Sequence, residues 1–186
     1  MKKEILSTEE LLEKKMQNLY MNRLRLAKST NYSISHPCYS NTSIDSTWED
    51  YTNFKEWLLN NDYQNNYQYK LNIDKDILQW NNTSKIYSPT TCLLIPEKLN
   101  KALIRVKPDF SITKKENGVL NVNMYGKLVY IGTFTDDEEY QYNYKKYKCS
   151  WINSLIQYSQ SRMSSEHYEL LLNSNFYKLV NKYSRG

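Results

Sequence analysis

The chain has 186 residues, with 25 Lys and Arg against 20 Asp and Glu, and its formal net charge is +5. This length suits one compact domain or two small modules, and it excludes a larger multidomain machine. The longest aliphatic run, Cys92 to Ile95, is too short to cross a membrane, and Glu9, Glu10 and Glu13 fall where a signal peptide needs its apolar stretch. We therefore expect an intracellular protein with no membrane partner.

The cysteines and histidines predict neither a zinc site nor a disulfide framework. Cys38, Cys92 and Cys149 form no CxxC pair, and the only two histidines, His36 and His167, lie far apart in the sequence. A structural zinc site needs four ligands in close pairs, and disulfides are rare in reducing compartments. We expect buried or bystander thiols.

Two helices are predicted in residues 1–60. Ser7 and Glu10 form a capping box for a helix over 1–28, whose seven basic and four acidic residues suit either packing or contact with a phosphate backbone. Ser46 and Glu49 predict the start of a second helix, with aromatic and apolar residues at helical spacing that indicate a core face. These residues are Trp48, Tyr51, Phe54, Trp57 and Leu58.

Residues 61–108 predict a compact ββα unit. It comprises a first strand at 71–78, a second strand at 85–87 that forms a hairpin with it, and a helix at 89–103. Ser88 is a good N-cap for this helix, and Pro96 should kink it. The segment holds seven basic and four acidic residues.

Residues 109–186 predict a three-stranded antiparallel sheet with helices, which makes the whole chain α+β. The strands are expected at 110–113, 119–125 and 128–134, with a tight turn at Gly126 and Lys127. Along the middle strand the apolar residues Leu120, Val122 and Met124 alternate with the polar residues Asn121, Asn123 and Tyr125. Acidic residues at 136–138 begin a long helix to about 158, and a final helix covers 164–183.

Two stretches of the sequence resemble known families. DKDIL at 74–78, followed by KIYSPTTC at 85–92 and by Pro96, Leu99 and Asn100, resembles the motif of phage HNH-like homing endonucleases. Further on, Gly118-Val119, YIGTFTDDEE at 130–139 and Tyr144-Lys145 resemble the Apetala-type (ethylene-response-factor) DNA-binding domain that accompanies that motif. Together the matches cover residues 32–158.

The first resemblance implies a ββα unit that holds one divalent metal, Mg²⁺ or Mn²⁺, for DNA cleavage. By position it makes Asp74 the metal-binding acid and Asn100 the ligand on the helix, with Asp76 as a further oxygen ligand. Lys75 stands where the family carries its general-base histidine. A lysine flanked by two aspartates stays protonated, so it would neutralise phosphate rather than abstract a proton.

The residues of the DKD motif also permit structural interpretations without a metal. Asp74, Lys75 and Asp76 suit a solvated strand end, or an internal salt bridge, as well as an active or vestigial metal site.

The second resemblance implies DNA contact through the face of the three-stranded sheet. The candidate DNA-binding residues are Lys85, Lys114, Lys115, Asn121, Asn123, Tyr125 and Lys127. Lysine outnumbers arginine 20 to 5, and no arginine lies between Arg105 and Arg162. We therefore expect mostly phosphate contacts and a modest sequence preference. A face of asparagine and tyrosine is equally suited to binding protein.

The sequence is compatible with three functions. The chain suits an HNH-type nuclease with a weakened site. It also suits an inactive descendant in the host cytoplasm that binds DNA or inhibits a host defence protein or nucleoprotein, as an anti-CRISPR protein does. The third is an interaction module that shares only the scaffold.

Overall fold

The computed structural model describes residues 7–28, 41–104 and 106–185, with the side chains of 23–28 left out. The fold is α+β, as predicted. Its helices are α1 (Thr8–Lys28), α2 (Tyr51–Asn60), α3 (Tyr63–Asn66), α4 (Glu97–Leu103), α5 (Asp137–Ser159), α6 (Ser165–Asn173) and α7 (Asn175–Ser184). Its strands are β1 (Thr42–Ile44), β2 (Leu71–Asp74), β3 (Lys85–Tyr87), β4 (Leu93–Pro96), β5 (Val119–Met124) and β6 (Lys127–Thr133). Short 3₁₀ turns cover Ser46–Glu49, Tyr67–Tyr69 and Gln160–Arg162.

The capping box predicted before α1 is present. The Ser7 backbone N–H donates to Glu10 Oε2 at 2.8 Å, and the Glu10 N–H donates to Ser7 Oγ at 3.2 Å. The helix therefore begins at Thr8, and the first six residues of the predicted 1–28 span lie outside the described residues. His36 and Cys38 lie outside the described residues as well.

The predicted helix start at Ser46 is wrong, because two aspartates divide this region. Asp45 accepts the N–H of Thr47 and caps the 3₁₀ turn, while Asp50 accepts the N–H of Thr52 and caps α2. The aromatic face is core, as predicted: Trp48, Phe54, Trp57 and Leu58 are buried.

The hairpin predicted at 71–87 is also wrong. β2 pairs with β4 in antiparallel register, from Leu71 opposite Pro96 to Asp74 opposite Leu93. β3 instead pairs in parallel with β1, which comes from far earlier in the chain. The ββα order is therefore formed by β2, β4 and α4.

The helix predicted at 89–103 begins only at Glu97. Ser88 holds a turn instead, since its carbonyl accepts the N–H of Cys92 and its hydroxyl lies 2.7 Å from Thr91 Oγ1. The following residues run extended in β4, and Pro96 occupies the N-cap position of α4 rather than a kink within a helix.

The sheet predicted with three strands at 110–134 has two, β5 and β6. Phe110 takes a left-handed backbone conformation with φ +54°, which ends any extended run there. The backbone of Ile112 bonds to the Gln141 side chain of α5, which donates to its carbonyl and accepts its N–H. A side-chain amide thus replaces the neighbouring strand.

The carboxy-terminal helices follow the prediction with one break. Asp136 caps α5, its carboxylate accepting the N–H of Glu139. The single helix expected over 164–183 is two helices, because Ser174 Oγ accepts the N–H of Tyr177 and starts α7 afresh.

Three apolar clusters form the core. One lies against α1 and α2, one between α4, α5, α6 and α7, and the smallest lies under the β5–β6 hairpin. β4 belongs to two of them: Leu94 packs in the cluster beside α2, and Leu93 and Ile95 pack in the cluster beside α5. Cys92 and Cys149 are buried. In the part of the chain described, no helix is long and apolar enough to cross a membrane.

Candidate functional site

Asp74, the predicted metal-binding acid, ends β2 and is buried. Its Oδ1 accepts the backbone N–H groups of Asp76 at 2.9 Å and Ile77 at 2.8 Å. A carboxylate that accepts the N–H groups two and three residues on closes an Asx-type turn. Asp74 therefore shapes the chain as it leaves the strand.

Lys75 and Lys85 both donate to Asp76. Lys75 Nζ lies 3.0 and 3.1 Å from the two Asp76 oxygens, and Lys85 Nζ lies 2.6 Å from Oδ1. Lys75 is 3% exposed. This is the internal salt bridge that the DKD sequence permitted, and it extends to a second lysine from β3.

Gln79 fastens the same loop to β3. Its Nε2 donates to the carbonyls of Lys75 at 2.8 Å and Ile86 at 2.9 Å, and its Oε1 accepts the Ile86 N–H at 3.0 Å. Both N–H donors of the Gln79 amide and one acceptor position of its oxygen are thus used within the protein. The loop after β2 is a fixed structural unit.

The two carboxylates have opposite pKa shifts. Burial raises the pKa of Asp74, and the negative charge of Asp76 raises it further. Burial also acts to raise the pKa of Asp76, but the charges of Lys75 and Lys85 outweigh it, so that pKa is lowered. Asp76 therefore stays ionised between its two lysines.

This arrangement does not fit a divalent metal. Two ammonium groups already lie against Asp76, and one oxygen of Asp74 is used by backbone amides. Asn100 lies half-buried on α4, and within the described ranges no hydrogen bond joins it to Asp74 or Asp76. No group of three His, Cys, Asp or Glu side chains in those ranges is placed to hold a metal.

An open groove of about 530 Å³ lies beside this loop. Leu78 and Ile86 contribute apolar surface, and Lys85 is its only charged lining residue in the described chain. The remaining lining residues are polar: Ser43, Gln79, Asn82, Ser84, Thr90 and Thr91. Since the Lys85 ammonium is bound to Asp76, the groove offers mostly neutral hydroxyl and amide groups.

The β5–β6 hairpin exposes one side to solvent. Asn121 pairs with Tyr130 and Asn123 pairs with Leu128, so these four residues share the side opposite the buried Leu120 and Val122. We call this side the outer face. Leu128 is 73% exposed and Tyr130 62%.

The side of the hairpin opposite the outer face packs against α5. Leu120, Val122 and Met124 pack with Tyr140 of α5, and the Tyr140 hydroxyl bonds to the Val119 carbonyl at 3.4 Å. The alternation predicted for this strand is confirmed.

Tyr125 and Lys127 do not lie on the outer face as predicted. Tyr125 and Gly126 have φ of +54° and +75°, which makes the connection a two-residue type I′ turn. Lys127 then falls opposite Met124, on the other side of the hairpin, where its side chain is exposed at the tip. Tyr125 packs its ring edge against Trp151 of α5, with centroids 5.9 Å apart.

Lys114 and Lys115 lie at the base of the hairpin, near the acidic start of α5. Lys114 pairs with Asp137 and donates to the Thr135 carbonyl at 2.6 Å. Lys115 is exposed in the turn that ends at Gly118. Of the two, only Lys115 has an ammonium that is not used in holding the fold.

Sequence reasoning missed a cluster of cations and tyrosine rings. The Arg162 guanidinium lies 3.7 Å from the Tyr158 ring centroid and 5.3 Å from that of Tyr69, and Lys98 Nζ lies 4.9 Å from Tyr158. Four elements contribute these residues, so no local sequence signal marks them. The cluster stabilises packing around α4 through cation–π contacts.

The structure thus brings Asp74, Lys75, Asp76 and Lys85 together in one loop cluster and leaves Asn100 apart from them. Of the residues predicted to bind DNA, Asn121 and Asn123 lie on the outer face of the hairpin. No family model, no curated protein and no solved structure matches the chain.

Proposed function

We propose that the protein binds double-stranded DNA through the outer face of the β5–β6 hairpin, without metal-dependent cleavage. The observation that carries this proposal is the outer face itself. It presents a half-buried and an exposed asparagine together with an exposed leucine and an exposed tyrosine, on a ribbon whose other side packs against α5. A two-stranded β-ribbon fits the major groove, which is about 12 Å wide. Base edges are read there by amide and apolar groups.

The charge distribution favours approach by the tip of the hairpin. Asp136, Asp137 and Glu138 lie beyond the far end of β6, whereas Lys127 is exposed at the tip. The net charge of +5 supplies the general attraction to a polyanion. Phosphates are therefore expected beside Lys127 and away from the start of α5.

We expect no DNA cleavage because the carboxylates of the loop after β2 are already occupied. Asp76 is neutralised by Lys75 and Lys85, and Asp74 is occupied by backbone N–H groups. The resemblance to phage HNH-like endonucleases supports DNA as the partner. The loop supports a scaffold role for the ββα unit.

The proposal is tested by fluorescence anisotropy with a labelled 30-base-pair duplex of mixed sequence. Binding should weaken at least about 30-fold between 50 and 200 mM salt, because each neutralised phosphate releases counterions and three contacts suffice for this change. If the protein does not bind the duplex at 50 mM salt, the proposal is overturned and a protein surface becomes the expected partner.

A pair of variants locates the surface. Leu128→Glu places a negative charge on the outer face and should weaken binding about tenfold or more. Leu170→Glu makes the same change at a leucine on α6 that is 40% exposed, and it should leave binding within about twofold. Equal effects of the two variants would place the DNA elsewhere.

A further inference from the structure

We infer that the outer face reads A·T base pairs in the major groove, with Asn121 and Asn123 as the residues that determine specificity. This inference rests on the proposed function, and it names the DNA sequence class that the same face prefers. The chemistry of the four outer-face side chains and their register both support it.

The two asparagines have free hydrogen-bonding groups. Neither side chain makes a hydrogen bond within the described part of the protein, and Asn123 is exposed while Asn121 is half-buried. An asparagine amide offers one acceptor and two donors side by side. In the major groove adenine presents the N7 acceptor beside the N6 donor, which a single amide satisfies with two bonds.

The same face is poorly equipped for G·C pairs. Guanine presents two acceptors, N7 and O6, which arginine or lysine reads best. Residues 119–133 contain no arginine, and their single lysine, Lys127, starts from the opposite side of the hairpin. An amide facing guanine would leave its carbonyl oxygen without a donor.

The apolar residues across the hairpin complete the match. Tyr130 lies directly opposite Asn121, and Leu128 lies directly opposite Asn123. Each pair thus sets an amide beside an apolar group, about 5 Å apart at Cβ. Thymine carries a C5-methyl group in the major groove, next to the edge of its adenine partner, and cytosine has none. One cross-strand pair therefore suits one A·T pair.

The spacing of the two pairs agrees with the rise of DNA. Asn121 and Asn123 are two positions apart on β5, which is about 6.8 Å at 3.4 Å per residue. Two base-pair steps also rise about 6.8 Å along the helix axis. The Tyr130 hydroxyl lies 3.1 Å from Thr133 Oγ1, which fixes the direction of that ring. The ribbon thus presents two readers for A·T pairs two steps apart.

The test compares duplexes of equal length at one salt concentration, one of alternating A·T pairs and one of alternating G·C pairs. The parent protein should bind the A·T duplex about tenfold or more tightly, since a wrong base pair at such a contact usually changes affinity by that factor. Equal affinities would overturn this inference and leave the proposed function standing. No binding to either duplex would overturn both.

Two modified duplexes assign the preference to the major groove. Replacing adenine by 7-deazaadenine removes the N7 acceptor, and replacing thymine by uracil removes the methyl group, while the minor groove keeps its edge pattern. Each replacement should weaken binding of the parent protein several-fold. An A·T preference that survives both replacements would place the reading in the minor groove and overturn the inference.

Two variants assign the preference to the asparagines. The double variant Asn121→Ala/Asn123→Ala should bind the G·C duplex like the parent, discriminate less between the two duplexes, and be insensitive to 7-deazaadenine. Asn173→Ala, at an exposed asparagine of α6, is the matched control and should keep the full preference. Thermal unfolding shows whether each variant is folded. A folded double variant that discriminates as strongly as the parent, or that remains sensitive to 7-deazaadenine, would overturn the assignment.

Discussion

The Nδ1 atom of His167 accepts a hydrogen bond from the backbone N–H of Leu94, at 3.1 Å and across 73 residues of sequence. The imidazole is buried, and its ring lies 5.4 Å from that of Trp57. This bond joins α6 to the middle of β4. Because Nδ1 is the acceptor, the ring must keep that nitrogen deprotonated.

Acidification should therefore destabilise the fold through His167. Burial lowers the pKa of His167 from 6.5 to about 4. Between these values the unfolded chain binds a proton that the folded protein excludes, so the stabilisation is complete above pH 6.5 and declines as the pH falls toward 4. The full loss is about 3 kcal/mol. Urea unfolding followed by tryptophan fluorescence at several pH values measures it.

His167→Asn is the control for this prediction, since its amide oxygen can accept the Leu94 N–H without titrating. The buried Asp74, whose pKa is raised, changes stability in the opposite direction and is present in both proteins. The difference between parent and variant therefore isolates His167. A difference that does not change from pH 7 to pH 4.5 would contradict the prediction.

Asp76→Asn should destabilise the protein by about 2 kcal/mol, because it removes the carboxylate that neutralises Lys75 and Lys85. The value is below that of a fully buried pair, since the Asp76 side chain is 37% exposed. Glu97→Gln breaks an exposed i,i+4 pair with Lys101 and should change stability by less than about 0.5 kcal/mol. Equal midpoints for the two variants in urea would argue against a structural role for Asp76.

Lys75→His should not create a nuclease. The substitution restores the residue type expected for a general base, but Lys85 still neutralises Asp76 and Asp74 still accepts backbone N–H groups. We expect that neither the parent nor the variant nicks supercoiled plasmid with Mg²⁺ or Mn²⁺, and that both still bind DNA. Metal-dependent nicking that is lost in the Asn100→Ala variant would instead support the function of an HNH-type nuclease.

Two glycines of the hairpin should differ in their tolerance of alanine. At Gly118, with φ +65°, an added Cβ would lie 2.3 Å from the Phe134 carbonyl oxygen, so both strain and a backbone clash result. At Gly126, with φ +75°, the added Cβ meets nothing within 4 Å, and only the strain remains. We expect losses of about 3 and about 1 kcal/mol in the free energy of unfolding. A larger loss at Gly126 would contradict this ranking.

Local signals in the sequence predicted the elements that local contacts form. The box at Ser7 and Glu10 starts α1, and alternation from Leu120 to Met124 marks β5. Asp136 caps α5 because an aspartate before an acidic first turn suits a helix start wherever it stands. Each of these signals operates within a few residues.

Pairings between distant segments were not predictable in the same way. Leu93–Pro96 is a short apolar run, and periodicity alone cannot distinguish a buried strand of this length from part of a helix. Its partner β2 lies some twenty residues earlier, and β3 found a parallel partner in β1. The expected hairpin assumed that neighbours in sequence pair.

In the candidate sites, too, local features were predictable from the sequence and contacts between distant segments were not. The sequence placed Asn121 and Asn123 together on one side of a strand, because alternation fixes sides. It left Asp74, Lys75 and Asp76 with several interpretations, since Lys85 reaches Asp76 only through the tertiary fold. Lys127 was assigned to the wrong side because the two-residue turn determines which residues oppose one another.

The double membership of β4 links the two larger cores in one cooperative unit. Leu93 and Leu94 are neighbours on the chain, yet each side chain fills a different cluster. Because one backbone carries both, loosening either cluster releases the strand that the other packs against. A break in the packing of α1 and α2 is therefore transmitted through β4 to α5 and to α4, α6 and α7 around it.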